Sequence, residues 1–183
     1  MQIGILEPEK FSNDAIALLK TVGEVSLYNG KNLKKFLSSM NILFVRLSFN
    51  IDNSFIELCP NLKWLCSPTT GHNHLDEKKL KSKKITIISL RGDKNFLKTI
   101  KATPEHTFGL IIALLRKYSI AFWDVKNGIW NRDKYRGEEL SGNKVGIVGL
   151  GRVGYQVAEY CENFGAQIYW SDKSKVMHKP NWI

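Results

Sequence analysis

Cysteine is scarce in this 183-residue chain, with only Cys59, Cys66 and Cys161. Odd in number and widely spaced, they fit reduced thiols better than a disulfide framework, and no C-x-x-C pair suggests a zinc site. They fit a reducing compartment, so the expected location is the cytoplasm. Long apolar runs are missing as well. None reaches the roughly 18 residues that a membrane-spanning helix needs. Met1–Leu6 has no basic segment followed by a long apolar core, so it reads as a first strand rather than a leader.

What is present is ordinary globular composition with a basic balance. Hydrophobic residues make up 43% and charged residues 24%, and the formal net charge is +10. Such a balance fits a nucleic-acid partner or merely a lysine-rich surface. The lysines are scattered, apart from Lys78, Lys79, Lys81, Lys83 and Lys84. No aromatics interleave with that cluster as a base-stacking platform requires. Nucleic acid is therefore not the expected partner, although anionic ligands would benefit from the field.

The most informative stretch is Lys144–Asp172. Val145-Gly146-Ile147-Val148 reads as a buried strand. Gly149-Leu150-Gly151-Arg152-Val153-Gly154 follows in G-x-G-x-x-G spacing. An amphipathic helix and a second strand come next, and Asp172 lies just past that strand. The glycine spacing has a physical reason. Gly149 makes the tight turn, Gly151 lets a pyrophosphate approach the backbone, and Gly154 lets helix and strand pack closely. The helix N-terminus presents free N–H groups to phosphates. Asp172 stands near the spacing of the carboxylate that takes the adenosine ribose hydroxyls. A carboxylate there repels a 2′-phosphate, so NAD is expected rather than NADP.

The preceding chain alternates strands and short helices, which reads as a parallel α/β sheet. Strands are expected at Met1–Leu6, Glu24–Tyr28, Asn41–Arg46, Leu62–Cys66 and Ile85–Ser89. Helices are expected at Asn13–Thr21, Leu33–Met40, Ser54–Leu58 and from Asp76. Ligands of such sheets gather at the carboxyl ends of strands. Arg46-Leu47-Ser48 sits at one such end, where Arg46 is either a carboxylate-attracting group or an ordinary loop arginine. Ser67–Gly71 sits at another and can expose backbone N–H groups to an anion. His72 and His74 hint at a metal, but no carboxylate-and-histidine set completes one, and no metal is expected. Thr103 and Pro104 read as N-cap and first residue of a largely apolar, buried helix. His106 then reads as a helix-start residue rather than an acid–base. The aromatics Phe122, Trp123, Trp130 and Tyr135 fit an oligomer contact or the cover of their own core equally well. Lys173–Ile183 shows no strand pattern.

With these motifs placed, the chain resembles the N-terminal part of the D-isomer-specific 2-hydroxyacid dehydrogenases, the family that includes D-3-phosphoglycerate dehydrogenase. Phe44–Ser48, Leu62–Asp76, Ala102–Arg116 and Gly128–Asp172 carry the resemblance. It implies a flavodoxin-like substrate domain over 1–100, followed by the first part of a Rossmann dinucleotide-binding domain over 101–183. It implies NAD held by Gly149, Gly151, Arg152, Val153, Gly154 and Asp172, with Thr70 near the nicotinamide end. A 2-hydroxy or 2-keto acid would lie against Arg46, Ser48, Thr70 and Gly71, and the protein would be an oxidoreductase, with a homodimer as the assembly to test. The same family contains non-catalytic, NAD-sensing corepressors. The family's catalytic arginine, its supporting carboxylate and its proton-moving histidine lie beyond the ribose-binding acid. No residue here matches them, so the expectation is a truncated cofactor domain without turnover of its own.

Overall fold

The computed structural model describes residues 1–9 and 11–173, and the chain divides into two compact units, Met1–Asp93 and Lys94–Ile183. In the first unit five strands form one parallel sheet: β1 (Gln2–Ile5), β2 (Glu24–Leu27), β3 (Ile42–Phe44), β4 (Trp64–Ser67) and β5 (Thr86–Ser89). Their order is β2-β1-β3-β4-β5. This is the flavodoxin-like doubly wound order, which opens ligand crevices at the carboxyl ends of the strands.

Four short helices connect them: α1 (Asn13–Lys20), α2 (Leu33–Ser38), α3 (Asn53–Glu57) and α4 (Glu77–Ser82). Ser12, Asp52 and Asp76 start α1, α3 and α4 by accepting the N–H of Ala15, Phe55 and Lys79, each satisfying one donor that a helix start leaves unpaired. Side chains alternate across the sheet. Leu43 and Leu65 enter a core with Leu37 of α2, Phe55 and Ile56 of α3 and Leu80 of α4. Their strand neighbours Ile42, Phe44, Trp64 and Ile88 face the other way and line an apolar cavity of about 520 Å³ with Phe11 and Leu19.

The second unit contains α5 (Lys94–Thr99), α6 (Ala102–Leu115), α7 (Tyr118–Lys126), β6 (Lys144–Val148), α8 (Arg152–Asn163) and β7 (Gln167–Ser171). β6 and β7 pair in parallel, Lys144 with Gln167 through Val148 with Ser171, and α8 is their crossover. Val157, Cys161, Leu140 and Ala166 form its core, flanked by Phe108, Ile111, Ile112 and Leu115 of α6.

Several features of this unit differ from what the sequence suggests, among them β6, expected as a buried strand but exposed on one face, with Val148 open to solvent. Helix α5 is not anticipated, because Lys94–Thr99 carries no long apolar period. Helix α6 starts earlier, with Lys101 at its N-cap. Pro104 is therefore the third helical residue rather than the first, still among the positions whose N–H has no intrahelical acceptor. Nor is α6 wrapped on all sides: Pro104 is its only buried residue, and Leu110 and Leu114 are exposed. One stripe meets α8, and the rest of the apolar surface stays outside. The segment from residue 174 onward, with His178 and Pro180, lies outside the described residues.

Candidate functional site

In the second unit, β6 delivers the chain into Gly149, whose φ of +95° is a conformation that side chains with a Cβ rarely adopt. Gly149 N–H donates to Ser171 O at 2.7 Å, holding the turn against the end of β7. Gly151 is the N-cap of α8 and offers no side-chain cap, so the first N–H groups of that helix are left to an outside acceptor. A Cβ built on Gly151 would meet nothing within 4 Å, whereas one on Gly154 would fall 2.1 Å from Gly149 O. Gly154 thus permits the close approach of helix and turn, and Gly151 keeps a cradle open above the helix start.

Asp172 is fixed at the same place. Its Oδ2 accepts the N–H of Leu150 at 2.7 Å, so the carboxylate after β7 is tied to the glycine turn after β6. Val153 is partly buried on the α8 side of the core. Arg152 has a different employment from the one its motif suggests. Its Nη1 donates to Leu97 O at 3.5 Å and Ile100 O at 3.3 Å, lashing the α5–α6 connection to α8. The open cradle, uncapped helix start and adjacent carboxylate fit a dinucleotide pyrophosphate and ribose.

In the first unit, two strand-end loops carry the remaining candidates. After β3, Arg46, Leu47 and Ser48 are exposed, but their backbone is engaged. The Glu7 carboxylate, 9% exposed at the end of β1, accepts the N–H of Arg46 and, at 3.0 Å, that of Ser48. Burial pushes the Glu7 carboxyl up, but the N–H groups of Arg46 and Ser48, the Ser48 hydroxyl and the N–H of Leu47 together outweigh it and hold the group below its ordinary range. Sequence alone does not point to Glu7, since nothing in the spacing links a lone acid to a loop 39 residues on. The Arg46 guanidinium is the group this loop can offer a ligand directly, whereas the Ser48 hydroxyl also bonds the Glu7 carboxylate and would have to leave it to serve one.

After β4, Ser67 and Thr69 hydroxyls pair at 2.9 Å, and Thr69 Oγ1 donates to Gly71 O at 2.9 Å. Thr70 O accepts from Arg91 Nε at 3.3 Å. Both carbonyls of Thr70-Gly71 are thus tied back. Neither N–H has an acceptor among the described residues, and a Cβ on Gly71 would meet open space. The turn can present two N–H donors to a carboxylate. His72 is buried between Glu77 Oε1 at 3.1 Å and Ser89 Oγ at 2.8 Å. His74 is pushed below its ordinary pKa by burial and by neighbouring His72. Among the described residues no group of three or more His, Cys, Asp or Glu is placed to hold a metal. His106 is exposed on the first turn of α6.

A parallel sheet with strand-end loops, followed along the chain by a β–α–β unit with an open glycine cradle, is the architecture of an α/β protein with a dinucleotide-binding fold. Residues 108–181 match the family model described as D-isomer specific 2-hydroxyacid dehydrogenase, NAD binding domain. D-3-phosphoglycerate dehydrogenase of Methanocaldococcus jannaschii is 29% identical over 173 residues, which are 93% of this chain and 32% of that protein. The enzyme of the same name from Archaeoglobus fulgidus is 30% identical over 162 residues, 86% of this chain and 30% of that one. Among solved structures, the NAD-dependent formate dehydrogenase of Staphylococcus aureus in complex with NAD superposes with a TM-score of 0.79 at 25% identity, covering 94% of this chain and 56% of that one. These matches support the D-isomer specific 2-hydroxyacid dehydrogenase family, whose NAD binding domain residues 108–181 resemble. The chain spans about a third of the length of the D-3-phosphoglycerate dehydrogenases it matches.

Proposed function

We propose that this chain binds NAD at the start of α8 and a 2-hydroxy or 2-keto acid at the loops after β3 and β4, as part of an oxidoreductase acting on the CH–OH group of a D-2-hydroxy acid. The observation that carries this is the cradle: an open Gly151 at an uncapped helix start, with Asp172 anchored beside it. When bound, NAD supplies the nicotinamide that accepts or returns hydride. The residues of this chain bind and orient. The backbone at Gly149, Gly151, Arg152, Val153 and Gly154 receives the pyrophosphate, with the Arg152 side chain retained by the α5–α6 connection. Asp172 receives the ribose hydroxyls. Arg46 and Ser48, with the N–H groups of Thr70 and Gly71, receive the substrate carboxylate. Thr70 belongs in addition to the nicotinamide end of the cofactor site. No side chain here is assigned the proton transfer. The working place is the cytoplasm, supported by three buried, unpaired cysteines.

Titration of the purified chain with NAD and with NADP, followed by calorimetry, tests the reading. NAD is expected to bind more tightly. Asp172→Ala is expected to weaken NAD by about tenfold, a loss of about 1.4 kcal/mol, and to narrow its margin over NADP. Equal affinity for both cofactors in the wild type would remove Asp172 from the site. Incubation with NAD and a panel of 2-hydroxy acids is expected to give no steady NADH production from this chain alone.

One feature favours a second reading, an NAD-sensing module without catalysis. Phe122, Trp123 and Trp130 are each two-thirds exposed or more on and just after α7. Surfaces of this kind are enriched in protein contacts, and the proposed occupant is a second copy of the chain. A change of sedimentation coefficient on adding NADH, without turnover, would favour this reading.

A further inference from the structure

The side chains around His72 form a closed circuit that neither the cofactor cradle nor the carboxylate loops explain. Glu77 Oε1 receives Arg91 Nη1 at 2.7 Å and meets His72 Nδ1 at 3.1 Å. His72 Nε2 meets Ser89 Oγ at 2.8 Å, and Ser89 Oγ accepts the N–H of Arg91 at 3.2 Å. Arg91 then reaches out of the circuit, Nε donating to Thr70 O at 3.3 Å. The order Ser89–His72–Glu77 is that of an acyl-transfer triad. Here, however, the Glu77 oxygen that faces the imidazole is already compensated by a guanidinium, which weakens its support of an imidazolium. The circuit is better suited to holding than to nucleophilic attack.

What it holds is the turn after β4. Thr70 and Gly71 are exposed, and such a turn loses conformational entropy when a ligand orders it. Glu77 belongs to α4 and Ser89 ends β5, both rigid elements of the unit. Arg91 transmits that rigidity to the Thr70 carbonyl. We propose that Arg91, braced by Glu77, His72 and Ser89, is a positioning residue that pre-orders the N–H groups of Thr70 and Gly71 for a carboxylate. The inference rests on the carboxylate site described under the proposed function.

The guanidinium is needed for its shape. Its planar fork reaches a carboxylate and a carbonyl at once, which a lysine ammonium at the same position does not reproduce. The test is titration of the full chain with oxamate, a non-reacting 2-keto acid analogue, read at the Thr70 and Gly71 amides by ¹⁵N–¹H NMR. The wild type is expected to show saturable shifts at both. Arg91→Ala and Arg91→Lys are each expected to weaken oxamate about tenfold, and Ser89→Ala about threefold to fivefold. The Leu65 and Ile87 amides should keep their positions and so report an intact sheet. No response in the wild type would remove the carboxylate site itself. A wild-type response that Arg91→Lys or Ser89→Ala leaves unchanged would keep the site and overturn the positioning role. The first of those results would reduce Arg91 to a source of charge.

Discussion

Gly154→Ala is expected to unfold much of the second unit, whereas Gly151→Val is expected to leave it folded and abolish NAD binding. The two glycines are three residues apart in one motif, and their surroundings differ completely. A methyl group at 154 would sit 2.1 Å from Gly149 O and 3.2 Å from Ile147 Cγ2. Neither neighbour yields cheaply, because one is backbone and the other belongs to the strand beneath the helix. Overpacking of this kind costs about 3 kcal/mol or more. Gly151 has extended backbone, φ −79° and ψ −165°, which any residue adopts. Its new side chain would meet nothing of the protein and would stand where the pyrophosphate must lie, so stability should change by about 0.5 kcal/mol or less while affinity falls more than about 100-fold. Thermal melts and NAD titrations of both variants check the pair. A well-folded Gly154→Ala would overturn the packing role of Gly154, and tight NAD binding by Gly151→Val would mean that the turn does not hold the cofactor as proposed.

Glu7→Ala is expected to cost about 2–4 kcal/mol, because it takes one charged acceptor from several backbone N–H groups at once. Glu7→Gln, which keeps an acceptor but no charge, should cost about half of that. The pH dependence follows from the downward shift of the Glu7 carboxyl from its ordinary 4.5. A group with a depressed folded-state pKa stabilises fully above its unfolded value, and the contribution is lost as pH falls through the folded value. Wild-type stability should therefore decline as pH drops below 4.5, and the decline should be shallower in Glu7→Gln. Urea melts at neutral pH and about one pH unit below that value measure both quantities. Equal slopes for the two proteins would assign the acid sensitivity to other carboxylates.

These two predictions also mark how far the sequence could be read. The glycine turn, α8 and Asp172 were legible because they are local: strand, turn, helix and acid lie within one continuous stretch. The alternation of β1 to β5 was legible for the same reason, since each strand is a short apolar run bounded by turn residues. Glu7 and the His72 circuit were not. Glu7 meets Arg46 and Ser48 across 39 and 41 residues, and His72 meets Ser89 across 17. Only the side-by-side placement of β1 with β3, and of β4 with β5, brings these groups together. The two histidines two residues apart hint at a metal in the sequence without a set to complete it, and the sequence does not tell their separate surroundings. In the fold His72 turns inward to Glu77 and Ser89, while His74 Nε2 is buried without a hydrogen-bond partner among the described residues. The apolar face of α6 misled in another way, because hydrophobicity shows that a residue prefers burial but not whether a partner is present to bury it.

The pairing of β6 with β7 has a consequence for how the chain comes apart. In the first unit β1 is flanked by β2 and β3, so its main-chain groups are bonded on both sides. In the second unit each strand has one ladder and one outer edge among the described residues, and Val148 is almost fully exposed. A two-stranded sheet is marginal by itself, so this one depends on the packing of α8 against its inner face and of α6 against α8. Breaking that packing releases the whole ladder, whereas loss of a single helix from the first unit leaves β1 bonded on both sides. Among the described residues, transient opening should therefore begin around the glycine turn, leaving the proposed cofactor cradle less durable than the five-stranded sheet until a ligand bridges it.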